Sequence, residues 1–224
     1  FIAKLWDMEN ISRLVKSVDP KIITVVGGAH PGATAKKTLE NNNIDFVIIG
    51  EGEASFINLL ETLESERNFD LLDGVAFRKD GRIIVRPKTK YIFNLDEIPF
   101  PARHLVSMPR YFEYGLAHSG SKQKPFTQMI SSRGCPAKCT FCVLENHWGK
   151  IQRMRSAKNV LDEIEFLIAT YGIKEIHFED DNLTADKKRA IEIFDGMIKR
   201  GFNINWQSPS GIAVYTLDDE ILEK

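Results

Sequence analysis

The chain has 224 residues, 43% hydrophobic and 27% charged, with 30 basic side chains against 31 acidic ones and a formal net charge of −1. That balance gives no global pull toward nucleic acid or an anionic membrane, no apolar run approaches the ~18 residues needed to span a bilayer, and no signal peptide is visible. The length suits one large domain or two small ones.

In chain order, residues 8–17 pattern as an amphipathic helix, and 21–26 (KIITVV) as a β-branched strand ended by Gly27 and Gly28. Residues 33–41 pattern as a second helix and 45–49 (DFVII) as a second strand ended by Gly50. A third helix is predicted over 53–63, where Phe56, Leu59, Leu60 and Leu63 recur at helical spacing. Apolar strands alternating with helices predict a parallel sheet covered on both faces. Over 74–86 the pattern changes. Asp80-Gly81 between two apolar-rich runs predicts a hairpin, because a type I′ turn needs positive φ. Residues 87–125 hold prolines at 87, 99, 101, 109 and 125 without clear periodicity, and read as an inter-domain connector.

A second alternating series follows. Residues 126–131 (FTQMIS) predict a strand that leads straight into the cysteines. A helix is predicted over 157–171, with Val160, Ile164, Leu167, Ile168 and Tyr171 on one face and Gly172 as its stop. Then come a strand at 174–178, a helix over 185–200 capped by Thr184 and stopped by Gly201, and a strand at 203–207. This βαβαβ series predicts the start of a parallel barrel or a doubly wound sheet.

The only cysteines, Cys135, Cys139 and Cys142, fall within eight residues at the spacing C-x3-C-x2-C. An odd, clustered set is a poor disulfide framework and points to a shared metal or cluster in a reducing, by default cytoplasmic, compartment. Three thiolates can hold three irons of a [4Fe–4S] cluster and leave the fourth open to a small molecule, as a catalytic site requires. Other readings stand beside this one: a Cys3His zinc site with His147, a cluster that only transfers electrons, and unligated core thiols. An electron-transfer cluster would want a fourth cysteine, which the sequence lacks.

This spacing, with Phe141 just before the third cysteine and a βα unit around it, resembles the signature of the radical S-adenosylmethionine (SAM) superfamily. The resemblance implies that SAM chelates the open iron beside Phe141. One electron, from an external flavodoxin- or ferredoxin-type reductant, then releases methionine and a 5′-deoxyadenosyl radical that abstracts hydrogen from a small-molecule substrate. By position, the strand end Phe178-Glu179-Asp180-Asp181-Asn182 resembles the superfamily's second-strand motif, without its glycines, which implies Glu179 or Asp180 at the SAM ammonium. A polar βα loop favouring the next helix N-terminus is the plainer alternative. Ser208 and Ser210 end the third strand, in place for SAM ribose or carboxylate, or for a turn. His177, alternating within its strand, reads as a packed or hydrogen-bonded residue.

The first half resembles the cobalamin-binding domain of B12-dependent radical SAM proteins. The resemblance rests on a strand followed by Gly27-Gly28-Ala29-His30-Pro31, a strand followed by Gly50-Glu51-Gly52-Glu53, the Asp80-Gly81 hairpin, and the connector Leu95-Asp96-Glu97-Ile98-Pro99-Phe100-Pro101-Ala102-Arg103. It implies cobalamin at Gly27, Gly28, Gly50 and Gly52, although tight βα turns also account for such glycines. The family's D-x-H-x-x-G motif is absent, and is expected to precede Phe1. The chain opens on Phe1, and only about 100 residues follow Phe126 where a six-stranded partial barrel needs roughly 200, so a fragment is expected.

The resulting expectation is an α/β chain. It has an incomplete flavodoxin-like, cobalamin-binding-type sheet over 1–92, a connector over 93–124, and the N-terminal part of a radical SAM partial (β/α) barrel over 125–224. The implied activity is cobalamin-dependent methyl transfer to an unactivated carbon. A radical cyclase of the anaerobic tetrapyrrole type and a non-catalytic metal- and ligand-binding module are the alternatives.

Overall fold

The computed structural model describes residues 4–65, 68–115, 118–149 and 151–224, so the chain start at Phe1 lies outside the described residues. The chain forms two compact units, Phe1–Tyr91 with Cys139–Gly149, and Ile92–Lys138 with Lys150–Lys224.

The first unit runs α1 (Leu5–Val18), β1 (Val25–Val26), α2 (Ala29–Ala33), α3 (Ala35–Thr38), β2 (Phe46–Ile48), α4 (Gly52–Ser65), β3 (Val75–Lys79) and β4 (Arg82–Arg86). Its four strands lie in the order β1-β2-β3-β4. Only β1 and β2 are parallel, because the hairpin joins the same sheet and pairs antiparallel with β2. The sheet is therefore mixed rather than parallel throughout. Its two faces are both covered: Val47 and Ala76 pack with Leu39 and Ile44, while Ile48, Val75 and Phe77 pack with Leu59. Asp80 and Gly81 form the two-residue turn with φ of 49° and 72°, closed by the Lys79–Arg82 pair, as the type I′ reading required.

Several boundaries differ from the sequence expectation, each for a local reason. The first strand begins at Val25, not Lys21, because Thr24 gives its amide and hydroxyl hydrogens to Asp45 and the Asn43 carbonyl. The second helix starts at Ala29 and breaks at Thr34, whose hydroxyl donates to the His30 carbonyl at 2.8 Å and competes with the helix ladder. In α4 the buried positions are Ser55, Leu59 and Thr62, with Phe56 and Leu60 exposed, so the helix is rotated from its apolar stripe. On α1 only Ser12 is buried, and Ile11, Leu14 and Val18 face outward.

Elements of the second unit are α5 (Met108–Tyr114), β5 (Phe126–Met129), β6 (Ser132–Arg133), β7 (Arg153–Met154), α7 (Ala157–Tyr171), β8 (Glu175–Phe178), α8 (Lys187–Lys199), β9 (Asn205–Gln207) and α9 (Asp219–Leu222). The short helix α6 (Glu145–Trp148) belongs with the first unit. Strands β5, β8 and β9 are all parallel, in the order β5-β8-β9, with α7 and α8 as crossovers. Met129, Ile164, Leu167, Ile176, Phe178 and Ile193 bury one face of this sheet against those helices. The stretch read as a connector packs within this unit: Arg103 pairs with Glu163, and Phe100 meets Phe166.

Helix α7 ends at the expected Gly172 and is capped by a serine that the sequence reading did not name. Ser156 accepts from the Asn159 amide at 3.1 Å, and Gly172 closes the helix in the left-handed conformation. Helix α8 is capped by Asp186 rather than Thr184. Thr184 is buried with its hydroxyl bonded to Thr216 at 2.5 Å, and so is unavailable as a cap. Among the described residues no helix is long and apolar enough to cross a membrane.

Candidate functional site

The cysteines sit on an excursion from the second sheet. Strands β6 and β7 pair antiparallel through Ser132–Met154 and Arg133–Arg153, so they form a two-stranded neck with residues 134–152 between them. Gly134 opens that span with φ +83°, and a Cβ there would lie 3.1 Å from the Ile151 carbonyl oxygen. Both the backbone conformation and the close approach call for glycine at this position.

All three thiols are free, Cys135 half-buried and Cys139 and Cys142 exposed. A turn bond from the Cys142 amide to the Cys139 carbonyl measures 3.1 Å. Cys135 lies in the second unit, and Cys139 and Cys142 in the first. Among the described residues no three His, Cys, Asp or Glu side chains are gathered as a metal site. Metal binding itself usually supplies the free energy that closes such a loop. The donor set nonetheless fits a cluster, with three unpaired, accessible sulfurs on one short loop. Phe141 is 86% exposed between the last two of them. His147 meets the Trp148 ring at 4.2 Å and belongs to no such metal group.

Next to β5, strand β8 alternates its faces. Ile176 and Phe178 enter the core, while Glu175 and His177 line the opposite face. Glu179 follows them and pairs with His118 through Oε2 at 3.2 Å, while its Oε1 is buried without a hydrogen-bond partner among the described residues. Such an orphan acceptor is costly unless a donor arrives, and it fits a ligand ammonium. Asp180 differs from expectation. It is fully buried, and its oxygens accept from the Ser131 amide, the Ser131 hydroxyl and the Ser132 hydroxyl. Its carboxylate is thus taken up within the chain and ties the β8 end to the cysteine strand. Burial, with the Asp180 charge adding to it, raises the Asp181 pKa above the ordinary carboxylate range, against the Gly134 amide bond that lowers it.

His177 is fully buried, stacked on Phe126 at 4.6 Å, and its Nε2 lies 2.8 Å from Glu175. Burial raises the Glu175 pKa, but the Gln123 and Lys122 amides and His177 outweigh it and hold Glu175 below its ordinary value. His177 is thus a hydrogen-bonded core residue, as the sequence suggested. Ser208 donates to the Gly211 carbonyl at 3.2 Å in the turn after β9, and Ser210 is exposed beside it.

In the first unit, Lys4, Leu5, Met8, Val26, Gly27, Gly28, Ala29, His30 and Pro31 line a largely apolar pocket of about 390 Å3 beyond β1. A Cβ at Gly28 would meet nothing within 4 Å, although its φ is +94°. Gly50 is different. The space a side chain would need there holds Lys88 and the His147 carbonyl, both 3.1 Å away, so protein fills the cradle expected for a ligand. Gly52 is the first residue of α4 and lies outside the pocket lining.

Sequence reasoning missed the charged residues around the cysteine strand: Arg103, Arg155, Glu163 and Arg189. Glu163 is bridged to Arg103 at 2.7 Å and to Arg155 at 2.5 Å. A signal existed, because Glu163 falls on the buried stripe of α7 with Val160 and Leu167, where a carboxylate demands a cation.

Comparisons with known proteins find relatives along most of the chain. A family profile described as the B12 binding domain matches residues 1–60. The chain is 35% identical over 96% of its length to cytidylyl-2-hydroxyethylphosphonate methyltransferase of Streptomyces wedmorensis, and covers 45% of that protein. It is 27% identical over 97% of its length to anaerobic magnesium-protoporphyrin IX monomethyl ester cyclase of Rubrivivax gelatinosus, covering 39% of it. The chain thus spans less than half the length of these relatives. Among solved structures, the radical SAM methyltransferase TsrM of Kitasatospora setae, bound to tryptophan and a SAM analogue, superposes with a TM-score of 0.70 at 17% identity, over 88% of this chain and 36% of that one. TsrM has also been solved with cobalamin and a [4Fe–4S] cluster bound.

Proposed function

The chain belongs to the family of B12-binding-domain radical SAM proteins, and from that premise we propose that it acts as a cobalamin-dependent radical SAM methyltransferase on a small-molecule substrate. The observation that carries the proposal is the free C-x3-C-x2-C thiol set, placed directly after the first strand of a parallel βα series. Cys135, Cys139 and Cys142 hold three irons of a [4Fe–4S] cluster. When bound, the cluster and SAM supply one-electron chemistry and a 5′-deoxyadenosyl radical, and cobalamin supplies a transferable methyl group. The buried Glu179 Oε1 would accept from the SAM ammonium, and Phe141, Ser208 and Ser210, at loop and strand ends, are the further candidates for SAM contact. Gly27 and Gly28 would border cobalamin at the pocket beyond β1. An external flavodoxin- or ferredoxin-type protein delivers the electron.

Glu179→Gln is expected to weaken SAM binding by about 1.5–3 kcal/mol through loss of a charge-assisted bond, with iron content unchanged. Equilibrium dialysis of labelled SAM checks this, and an unchanged affinity would leave Glu179 with His118 as its only partner.

The cobalamin assignment has its own test. Gly28→Val would strain the backbone with or without ligand, because φ +94° is strained for any side chain. Ala29 is the better probe, since it lines the pocket yet is exposed at the start of α2. Ala29→Trp is expected to lower cobalamin affinity about tenfold, roughly 1.4 kcal/mol, with the melting temperature unchanged. Absorbance titration reads the affinity, and a wild type that binds no cobalamin would remove cobalamin from the proposal.

Likeness to the cyclase favours radical ring formation as the second reading. Labelled methyl reaching product from SAM supports transfer. Label remaining in methionine supports the cyclase reading.

A further inference from the structure

The backbone that enters the cysteine loop is gripped from several elements at once. Ser131 lies just past the last ladder pair of β5, and its amide donates to Asp180 Oδ2 at 3.0 Å. Its hydroxyl donates to Oδ1 at 2.8 Å, and the Ser132 hydroxyl donates to the same oxygen. Arg189 of α8 grips the other side. Its Nη2 donates to the Ser131 carbonyl at 2.8 Å and to the hydroxyl oxygen at 2.7 Å, and its Nε donates to the Arg155 carbonyl at 2.6 Å. Ser131 immediately precedes β6 and Arg155 immediately follows β7, so one guanidinium staples both arms of the neck. Arg155 continues the grip at the Ile130 carbonyl, 3.0 Å away.

This arrangement is expensive as a source of stability. Asp180 is fully buried and Arg189 is 7% exposed, with Arg189 Nη1 buried and lacking a hydrogen-bond partner among the described residues. Burial lowers the Arg189 pKa, with Asp180 and Asp186 acting against it. Apolar side chains of similar volume would stabilise the same space as well or better. What charged groups add is a fixed direction for named backbone atoms.

We infer that Asp180 and Arg189 are positioning residues for the cysteine loop, setting where both ends of the 134–152 span leave the sheet. The inference rests on reading the cysteines as cluster ligands. Their hydrogen bonds go to Ser131, Ser132 and Arg155, and they act through these. Partners outside the ligand shell typically change metal affinity by about 10–100-fold.

The test uses the full chain, reconstituted anaerobically with iron and sulfide, and follows iron loss to a chelator well below the melting temperature. Arg189→Met is expected to lose iron about tenfold faster than wild type and to broaden the electron paramagnetic resonance signal of the reduced cluster. Arg189→Lys keeps the charge but not the fork, and should fall between the two. Ser132→Ala removes a single bond to Asp180 and should speed loss a few-fold, so it decides the matter if Arg189→Met does not fold. A purely structural role would lower melting temperature yet leave iron loss from the folded protein unchanged, and that result overturns the inference. A wild type that takes up no iron overturns the cluster reading as well, which separates the two failures.

Discussion

Replacing any one of Cys135, Cys139 and Cys142 with alanine is expected to abolish stable iron binding. On the proposed reading each thiolate would hold a different iron, so two could not retain three irons of a four-iron cluster. The thiols are free, and two of the three are exposed, so alanine removes little packing and the variants should fold like wild type. Iron and sulfide counting with Mössbauer spectroscopy after anaerobic reconstitution reads the loss directly. A triple alanine variant that still holds four irons would show that these residues are not the ligands.

Glu163→Ala is expected to destabilise the second unit by about 3–5 kcal/mol, the usual consequence of removing one partner from a buried ion pair. Glu163 is 1% exposed and bridges Arg103 and Arg155, whose side chains are 9% and 11% exposed. Without it, two guanidiniums face each other in a low dielectric, and the contact between the 93–124 stretch and α7 is lost. Urea unfolding measures the change. A loss below about 1 kcal/mol would put the pair in the range of solvent-screened surface bridges.

Legibility in the sequence followed the physics of each feature. The span of helix α7 and the Asp80-Gly81 hairpin were readable to the residue, since a left-handed glycine stop and a type I′ turn are local requirements. Strand β1 was overestimated because Thr24 trades its ladder bond for Asp45, a partner 21 residues away that periodicity does not reveal. The cysteine loop was legible from spacing alone, as a short excursion that carries all three free thiols. Asp180 was not, because a strand-end carboxylate looks the same whether it faces a ligand or a buried serine pair. Choosing between Glu179 and Asp180 needed the alternation of β8, which turns the one toward His118 and the other toward Ser131. The Arg189 staple was hidden for the same reason, although an arginine four residues before Ile193 on a buried helix face was a visible anomaly.

The most direct measurement of the central claim is SAM cleavage by the anaerobically reconstituted wild-type protein under a strong one-electron reductant. 5′-Deoxyadenosine and methionine should form together, and only when the cluster is loaded. A protein that holds four irons on its three cysteines and binds SAM, yet yields no 5′-deoxyadenosine, would contradict the account and leave a metal- and ligand-binding module in its place.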